Sequence, residues 1–408
     1  MNKFKEVSFG LIPCEWNLSS IDNIKDDGKY AIAMGPFGSN IKSENYVDNG
    51  VPVIRGINLN YFKYVGGDFV FLTEEKAATL KSSICKTGDL VFTHRGTIGQ
   101  VCLIPCGKFD KYIISQSGMK LTVDKNKIDN IFLLYFFKSK MGKNQNESQV
   151  GVPSISNPLS SLKMIEVPLP PLPEQKAIAG VLGSLDDKID LLQRQNATLE
   201  AMAETLFRQW FIEEAQEDFR ITSLSNIANF LNGLACQKYP PSNNIDKLPV
   251  LKIRELNNGI SKDCDWATSD IKSEYIVKSG DVIFSWTGSL LVKIWNGEDC
   301  VLNQHLFKVT SQTYPKWFYF FWCKYYLKEF IIISESHATT MGHIKRSDLD
   351  AAEVLIPSDK RLQEMSYIMN PLWEKYITNQ TQIRTLEKLR DTLLPKLMSG
   401  EVRVRVDG

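Results

Sequence analysis

The stretch IAGVLGSLDDKIDLLQRQNATLEAMAETLFRQW, residues 178–210, places a mainly apolar residue at alternating steps of four and three. Side chains at this spacing lie along one face of a helix and form the buried seam of a coiled coil. One layer is polar, because Asn196 occupies a seam position, and a buried asparagine fixes the register of paired helices. The predicted seam includes Leu185, Ile189, Leu192, Asn196, Leu199 and Leu206.

A second stretch, residues 365–397, repeats this pattern near the end of the chain. Its predicted seam includes Leu372, Tyr376, Asn379, Ile383, Leu386 and Leu393. Two matched seams favour helices that pair with each other, and the alternative is that each helix packs only on its own module. Gly183-Ser184 and Asn370-Pro371 fall at the same repeat position, and a proline removes a backbone donor, so we expect a kink or break at Pro371.

The segments that precede the two helices are an internal duplication, and repeats of this kind define the architecture of a fold. Gly-Asp followed by a Val/Ile/Phe-rich run occurs at 88–92 and again at 280–284. Runs of this kind predict strands, at Leu90–Thr93 and Val282–Ser285, whereas Ile131–Phe137 predicts a helix. Two further matches pair Arg55-Gly-Ile-Asn58 with Arg254-Glu-Leu-Asn257, and Ser115-Gln-Ser117 with Asn303-Gln-His305. The sequence therefore predicts two related α+β modules.

Composition describes an ordinary globular protein of 408 residues, with 43% hydrophobic and 23% charged side chains. The net charge of +1 hides a mildly basic first module, because residues 1–170 carry 20 basic and 16 acidic side chains. The eight cysteines show no two-residue spacing, which predicts reduced thiols and a cytoplasmic location. The N-terminus lacks the apolar core of a signal peptide, and no apolar run approaches the roughly 20 residues of a membrane span.

Catalytic motifs are absent from the sequence. It contains no Gly-x4-Gly-Lys-Ser/Thr phosphate loop and no strand-linked Gly-x-Gly-x-x-Gly. None of its four histidines lies at metal-ligand spacing to another ligand. We therefore expect no enzyme activity, no metal and no cofactor on this chain.

The polar turn Thr93-His-Arg-Gly-Thr97 follows a predicted strand, and Ser285-Trp-Thr-Gly288 stands at the same place in the second module. One interpretation is a solvated turn. The other is a DNA anchor, since arginine can read guanine or hold a phosphate and glycine permits close backbone approach. If these tips touch DNA, their differences imply that the two modules read different base sequences.

Other polar residues at matching places carry the same two interpretations. Glutamine and asparagine pair with adenine but also cap turns, and arginine binds DNA or forms internal salt bridges. Small hydroxyls and amides in the loops that precede each helical segment suit backbone phosphates. The predicted DNA contacts are Arg55, Asn58, His94, Arg95, Gly96, Thr97, Ser115, Gln116, Ser117, Ser154, Arg254, Asn257, Trp286, Thr287, Asn303, Gln304, His305, Thr340 and Lys345.

Four motifs together resemble the specificity subunits of type I restriction–modification enzymes, over essentially the whole chain. They are Gly10-Leu-Ile-Pro-Cys-Glu-Trp16, Gly88-Asp-Leu-Val-Phe92 with Arg95-Gly-Thr97, Pro168-Leu-Pro-Pro-Leu-Pro-Glu-Gln175 and Leu393-Leu-Pro-Lys-Leu-Met-Ser-Gly-Glu401. The second helix departs from the pattern, because Pro357-Ser-Asp-Lys lacks the Pro-Pro-Leu-Pro entry. Partner docking at the two helices is therefore not expected to be identical.

The resemblance implies two tandem target-recognition domains, at 1–170 and 216–357, and two spacer helices, at 171–215 and 358–408. The helices would pack as an antiparallel coiled coil in a pseudo-twofold α+β chain. The resemblance also implies a non-catalytic subunit that recognises an asymmetric, bipartite site in double-stranded DNA. Its partners would be two methyltransferase and two restriction subunits, which use S-adenosylmethionine, ATP and Mg²⁺.

One rival function belongs to another class, a coiled-coil assembly scaffold whose globular modules bind protein. A gel shift of the chain with its methyltransferase partner on a random duplex library would distinguish the two functions, and the absence of sequence enrichment would favour the scaffold. A stand-alone enzyme is disfavoured by the missing motifs.

Overall fold

The computed structural model describes residues 3–95, 99–150, 158–336 and 342–405, with the backbone alone at 39, 146–150 and 336. The chain divides into two compact units, residues 1–189 with 386–408 and residues 190–385. Each unit contains one module and one end of both long helices. The division therefore cuts through the helical segments predicted at 171–215 and 358–408.

The first unit contains twelve strands and five short helices among its described residues, followed by the start of a long helix. The strands are β1 Phe4–Val7, β2 Gly10–Pro13, β3 Asn17–Ser20, β4 Ile32–Met34, β5 Val51–Ile54, β6 Val70–Leu72, β7 Ile84–Cys85, β8 Leu90–Thr93, β9 Val101–Leu103, β10 Tyr112–Ile114, β11 Gly118–Leu121 and β12 Glu166–Leu169. The helices are α1 Ile21–Ile24, α2 Glu74–Thr79, α3 Asn130–Lys138, α4 Lys140–Val150, α5 Pro158–Met164 and the long α6 Leu172–Arg208.

The second unit contains ten strands among its described residues and most of the second long helix. The strands are β13 Arg220–Ser223, β14 Asn229–Asn232, β15 Lys247–Leu251, β16 Trp266–Thr268, β17 Ile276–Val277, β18 Val282–Ser285, β19 Leu291–Ile294, β20 Cys300–Leu302, β21 Leu306–Thr310 and β22 Glu353–Ile356. The helices are α7 Leu224–Ile227, α8 Ile253–Asn258, α9 Lys316–Ser336, α10 Arg346–Ala351 and the long α11 Asp359–Met398.

Sheet topology confirms the internal repeat. The first unit has sheets of order β6-β5-β10-β7, β4-β11-β8-β9 and β12-β3, and the second has β16-β15-β20-β17, β14-β21-β18-β19 and β13-β22. These orders correspond strand for strand, and the hairpin β1-β2 is additional to them in the first unit. The strands predicted at Leu90–Thr93 and Val282–Ser285 are β8 and β18, and the predicted helix is α3.

The repeated Gly-Asp pair makes the same turn in both units. Gly88 and Gly280 have φ angles of +87° and +91°, a conformation that glycine adopts readily and other residues avoid. The Asp89 carboxylate accepts a hydrogen bond from the Lys86 amide at 2.9 Å, and the Asp281 carboxylate accepts one from Lys278 at 2.9 Å. The matching residues therefore share one structural role, which is to direct β8 and β18 into the core.

Both long helices continue through their breaker residues, so the predicted break at Pro371 is wrong, whereas a kink there stays a prediction. Pro371 lies inside α11, and Gly183 lies inside α6. A proline removes one intrahelical hydrogen bond, but Met369 and Leu372 on either side of it pack in the core of the second unit. Tertiary packing of an apolar face supplies most of a helix's stability, and here it outweighs the lost bond.

The predicted seams are confirmed by burial, because every position of both series is buried or half-buried. In the second unit the polar layer contains both asparagines, Asn196 at 6% and Asn379 at 0% exposure. The side-chain amide of Asn196 donates to the carbonyl of Tyr376 at 3.3 Å, and that of Asn379 donates to Gln195 at 3.4 Å. Later residues of α6 thus meet earlier residues of α11, and the helices pack antiparallel.

In the first unit the same helix pair contains a buried ion pair. Arg390 of α11 donates to Asp186 of α6 at 2.9 Å, and the two residues are 8% and 5% exposed. The Tyr135 hydroxyl of α3 donates to the other oxygen of Asp186. Both helix ends also enter the apolar core of this unit, α6 through Ile178 and α11 through Leu397 among others. The helices therefore pack on each other and on the module, which combines the two alternatives.

Candidate nucleic-acid interface

Arg55 and Ser115–Ser117 come together in one cleft of the first unit, with a volume of about 300 Å³. β5 and β10 are parallel neighbours with Ile54 opposite Ile114, so the residues that follow both strands emerge at the same edge. The Ser115 amide donates to the Ile54 carbonyl at 3.0 Å, and the Gly118 amide donates to the Ser115 carbonyl at 2.9 Å. The resulting turn exposes Gln116. The remaining lining residues are Pro36, Gly38, Ile41 and Tyr46.

A second cleft, of about 680 Å³, lies at the equivalent place in the second unit and is lined by Arg254 and Asn303–His305. β15 and β20 are again parallel, with Leu251 opposite Leu302. The Asn303 amide donates to the Leu251 carbonyl at 3.2 Å, and the Leu306 amide donates to the Asn303 carbonyl at 2.9 Å. The two modules therefore build the same turn from different side chains.

A glycine packs against each turn at a distance that admits no side chain. A Cβ on Gly35 would lie 1.8 Å from the carbonyl oxygen of Ser115, and one on Gly233 would lie 2.2 Å from that of Asn303. The backbone amide of Gly35 donates to the Gly118 carbonyl of β11 at 2.9 Å. The amide of Gly233 donates to the Leu306 carbonyl of β21 at 3.1 Å. This close approach fixes the position of both turns.

His94 supports the first turn from behind, which gives it a structural role, and its contact with DNA stays a prediction. Its side chain is 7% exposed, and its Nε2 lies 3.0 Å from the carbonyl oxygen of Gln116. In the tautomer that carries the proton on Nε2, the ring donates a hydrogen bond to that oxygen. Its own amide donates to the Ser117 carbonyl at 3.0 Å. Burial lowers the pKa of His94 and keeps the ring neutral near pH 7.

Asn58 also has a structural role, which favours the turn-capping interpretation over a DNA contact. Its side chain is 1% exposed. The oxygen accepts from the Arg55 amide at 2.9 Å, and the nitrogen donates to the carbonyls of Gly66 at 2.8 Å and Asp68 at 2.9 Å. Asn58 thereby holds the turn that carries Arg55.

The repeat pairs Arg55 with Lys252, which corrects the match with Arg254. Arg55 directly follows Ile54, whereas the residue that directly follows the equivalent Leu251 is Lys252. Arg254 stands two residues later, forms an ion pair with the buried Glu255 at 2.8 Å and donates to the Asp263 carbonyl at 3.0 Å. The salt-bridge alternative is therefore the observed arrangement for Arg254.

At the second tip, the register that aligns Thr93 with Ser285 places Trp286 where the first module has His94. Trp286 is half-buried, stacks on Phe307 and donates to the Asn232 side chain at 3.2 Å. Thr287 is 7% exposed and donates to the Gly342 carbonyl at 3.3 Å, and Asn303 is 5% exposed. The side chains of Thr287 and Asn303 are thus largely buried, and their contact with DNA stays a prediction.

The remaining predicted contacts are placed as follows. Arg95, Asn257 and Lys345 are exposed, whereas Gln304 and His305 are half-buried beside each other in the second cleft. Gly96, Thr97, Ser154 and Thr340 lie outside the described residues. DNA contact by the accessible residues stays a prediction.

Sequence reasoning missed several residues of the second cleft, namely Gln237, Lys252, Asp265 and Trp266. It also missed Gly35 and Gly233, although Met34-Gly35 and Asn232-Gly233 end equivalent strands. Extending the repeat alignment toward β4 and β14 is the signal that could have found both glycines.

Three of the motifs quoted for the family resemblance meet in the first unit. The indole of the fully buried Trp16 donates to the Glu174 carboxylate at 3.3 Å, and Arg403 pairs with the same carboxylate. Gly400 has a φ of +70°, and a Cβ there would lie 2.3 Å from Pro13. The N-terminal motif, the helix entry and the C-terminal motif therefore form one packed cluster.

The part of the chain that the structure describes contains no group of histidine, cysteine, aspartate or glutamate residues that could hold a metal ion. All eight cysteines are free thiols. Among the described helices, none is long and apolar enough to cross a membrane.

Comparison with known proteins defines the class. The model of the type I restriction modification DNA specificity domain matches residues 22–201 and again residues 216–388. The chain is 28% identical to the type I restriction enzyme MjaIX specificity subunit of Methanocaldococcus jannaschii, over 98% of this chain and 97% of that protein. It is 27% identical to the EcoBI specificity subunit of Escherichia coli, over 45% and 34%. The crystal structure of a type I S subunit from M. genitalium superposes with a TM-score of 0.60 at 16% identity, covering 94% and 96% of the two chains.

The chain belongs to the family of type I restriction–modification DNA specificity subunits. It is a DNA-sequence-recognition subunit and not an enzyme.

Proposed function

We propose that this subunit reads an asymmetric, bipartite site in double-stranded DNA, one half with each module. The observation that carries the proposal is the pair of equivalent clefts, whose backbones match and whose side chains differ. Ser115-Gln116-Ser117 occupies the turn in one module and Asn303-Gln304-His305 the same turn in the other. Because base contacts give specificity, different side chains on one scaffold select different half-sites.

Gln116 and Gln304 are the residues of these turns best suited to reading a base. In the major groove, a glutamine amide can donate a hydrogen bond to N7 of adenine and accept one from its N6 amino group. Gln116 is exposed at the tip of its turn, whereas the side-chain nitrogen of Gln304 lies 3.4 Å from Nε2 of the His305 ring. The neighbouring imidazole orients the second glutamine, which gives the two half-sites different recognition geometry.

The partners we propose are two methyltransferase and two restriction subunits, with S-adenosylmethionine, ATP and Mg²⁺ on those subunits. The relatives are named as specificity subunits of type I restriction enzymes, which supports a role within a larger complex. The cluster of Trp16, Glu174 and Arg403 exists at the entry of α6, whereas Glu364 near the entry of α11 pairs only at the surface, with Arg361 at 3.3 Å. This difference supports docking at the two helices that is not identical.

Mapping N6-methyladenine in a methylation-free host that expresses this subunit with its methyltransferase tests the proposal. We expect one motif with two dissimilar halves separated by unread positions. A motif with two identical halves, or a continuous motif, would contradict reading by two different modules. Omitting this subunit is the control, and no motif is expected from the methyltransferase alone.

A further inference from the structure

Arg55 occupies a recessed position in the first cleft that the proposed function leaves unexplained. It is half-buried, and the described residues that line the cleft with it include no carboxylate. Its neighbours are the hydroxyls of Ser115 and Ser117, which lie 3.1 Å apart, and the amide of Gln116. A guanidinium surrounded by hydroxyl and amide groups is a site for an anion.

The guanidinium has no ion-pair partner within the described part of the chain. Its Nε is buried and lacks a hydrogen-bond partner among the described residues. Buried polar groups are almost always satisfied, and an unsatisfied one marks a position where a ligand or a rearranged side chain completes the structure. An incoming anion would draw the guanidinium toward the cleft and satisfy its donors.

The second cleft lacks this uncompensated charge. Lys252, the counterpart of Arg55, forms an ion pair with Asp265, and its hydrogen bond lowers the pKa of that carboxyl. Arg254 in the same cleft is paired with Glu255. The two clefts are therefore equivalent in backbone but differ in charge, because among the described residues Arg55 is unpaired in the first and both cations are paired in the second.

Resting on the proposed function, we propose that the first cleft is a clamp for one phosphate of the DNA backbone, with Arg55 as its cation. The cleft is concave, so it accepts a group that protrudes from the duplex, and a phosphodiester protrudes where base edges are recessed. Gln116 on the exposed tip remains free to reach a base beside that phosphate. The first module anchors the duplex through charge, and the second module binds without an equivalent clamp.

Fluorescence anisotropy of the complete subunit–methyltransferase complex on a duplex carrying its own motif tests this clamp, between 50 and 200 mM salt. Arg55→Gln should raise Kd about tenfold and reduce the slope of log Kobs against log salt by about 0.9, the value for one phosphate contact. The methylation motif should not change. Arg55→Lys should restore most of the affinity, because a phosphate accepts a point charge whereas bidentate guanine recognition requires the fork. Arg194→Gln is the matched control and should leave the slope unchanged, because Arg194 lies outside both clefts in an exposed ion pair with Asp190.

A scan with single methylphosphonate linkages gives a readout on the wild-type protein. Neutralising one phosphate should weaken the wild-type complex about tenfold and leave the Arg55→Gln complex unaffected. A motif that relaxes at one base in Arg55→Gln, with an unchanged salt slope, would assign Arg55 to a base and overturn the clamp. An unchanged Kd and slope would overturn it equally. Both results differ from failure of the proposed function, in which the wild-type complex has no bipartite motif.

Discussion

Replacing Asp186 with alanine removes one partner of the buried ion pair in the first unit. Arg390 would keep only the exposed carboxylate of Asp391, at 2.8 Å, and the Tyr135 hydroxyl would lose its acceptor. Removing one partner of a buried pair costs about 3–5 kcal/mol when the other charge stays buried without compensation, and the retained exposed Asp391 places this loss near the lower end, at about 3 kcal/mol. The guanidinium also lies 3.8 Å above the ring of Phe62, which prevents it from swinging out without loss of packing.

The triple variant Asp186→Leu, Arg390→Met and Tyr135→Phe should recover most of that loss. It leaves no buried hydroxyl without an acceptor, and apolar replacement of a buried ion pair is often neutral. Lys396→Ala is the control on the same helix. Its partner Glu401 lies 3.6 Å away at the surface, and exposed pairs contribute about 0–1 kcal/mol.

Hydrogen exchange measured by mass spectrometry separates the two units, which a global unfolding curve does not. A loss of about 3 kcal/mol should accelerate exchange in α3 roughly 100-fold, while α9 of the second unit stays unchanged. Acceleration below about fivefold in α3, or equal acceleration in both units, would refute the reasoning that this pair stabilises the first unit.

Three further outcomes follow from the same structure. Gly35→Ala and Gly233→Ala should each displace one recognition turn, because the added Cβ would lie 1.8 or 2.2 Å from a carbonyl oxygen, and each should impair one half of the methylation motif in sequencing. Burial lowers the pKa of His94, so protonation favours the unfolded chain: the stability of the first unit should fall as pH drops below about 6.5, and His94→Gln should flatten that fall in hydrogen exchange. Replacing both Asn196 and Asn379 with leucine removes two buried unsatisfied oxygens. The free energy of opening in the second unit should rise by about 1–3 kcal/mol, which slows hydrogen exchange there.

The helices and strands were largely predictable, because hydrophobic spacing and the internal repeat report burial directly. The seam positions of α6 and α11 are buried or half-buried, and Leu90–Thr93 and Val282–Ser285 are strands, as the sequence indicated. The helix does not break at Pro371, because Met369 and Leu372 beside it pack in the core. The propensity of a single proline takes no account of such tertiary contacts.

The candidate site was predictable only as far as the turns. Sequence identified the turns Ser115–Ser117 and Asn303–His305. It did not show that Asn58 and Asn303 are buried, because an asparagine that caps a turn and one that reads a base have the same sequence signal. The correct partner of Arg55 depended on strand register, which shifts the match from Arg254 to Lys252.

The ion pair between Asp186 and Arg390 was hidden for another reason. Asp186 lies beside the seam rather than on it, and its partner is 204 residues away in the chain. The repeat offers no hint either, because the offset that aligns Thr198 with Thr385 places Trp373 and Ala203 at the corresponding positions. Each end of the helix pair has its own packing chemistry.

The most direct test of the central claim, that each cleft reads its own half-site, is methylation-motif sequencing of Gln116→Ala and Gln304→Ala beside the wild type. Gln116→Ala should relax base preference in one half of the motif only, and Gln304→Ala in the other half only, by about 1–3 kcal/mol of discrimination at a position. Both variants altering the same half, or neither altering any position, would contradict the account.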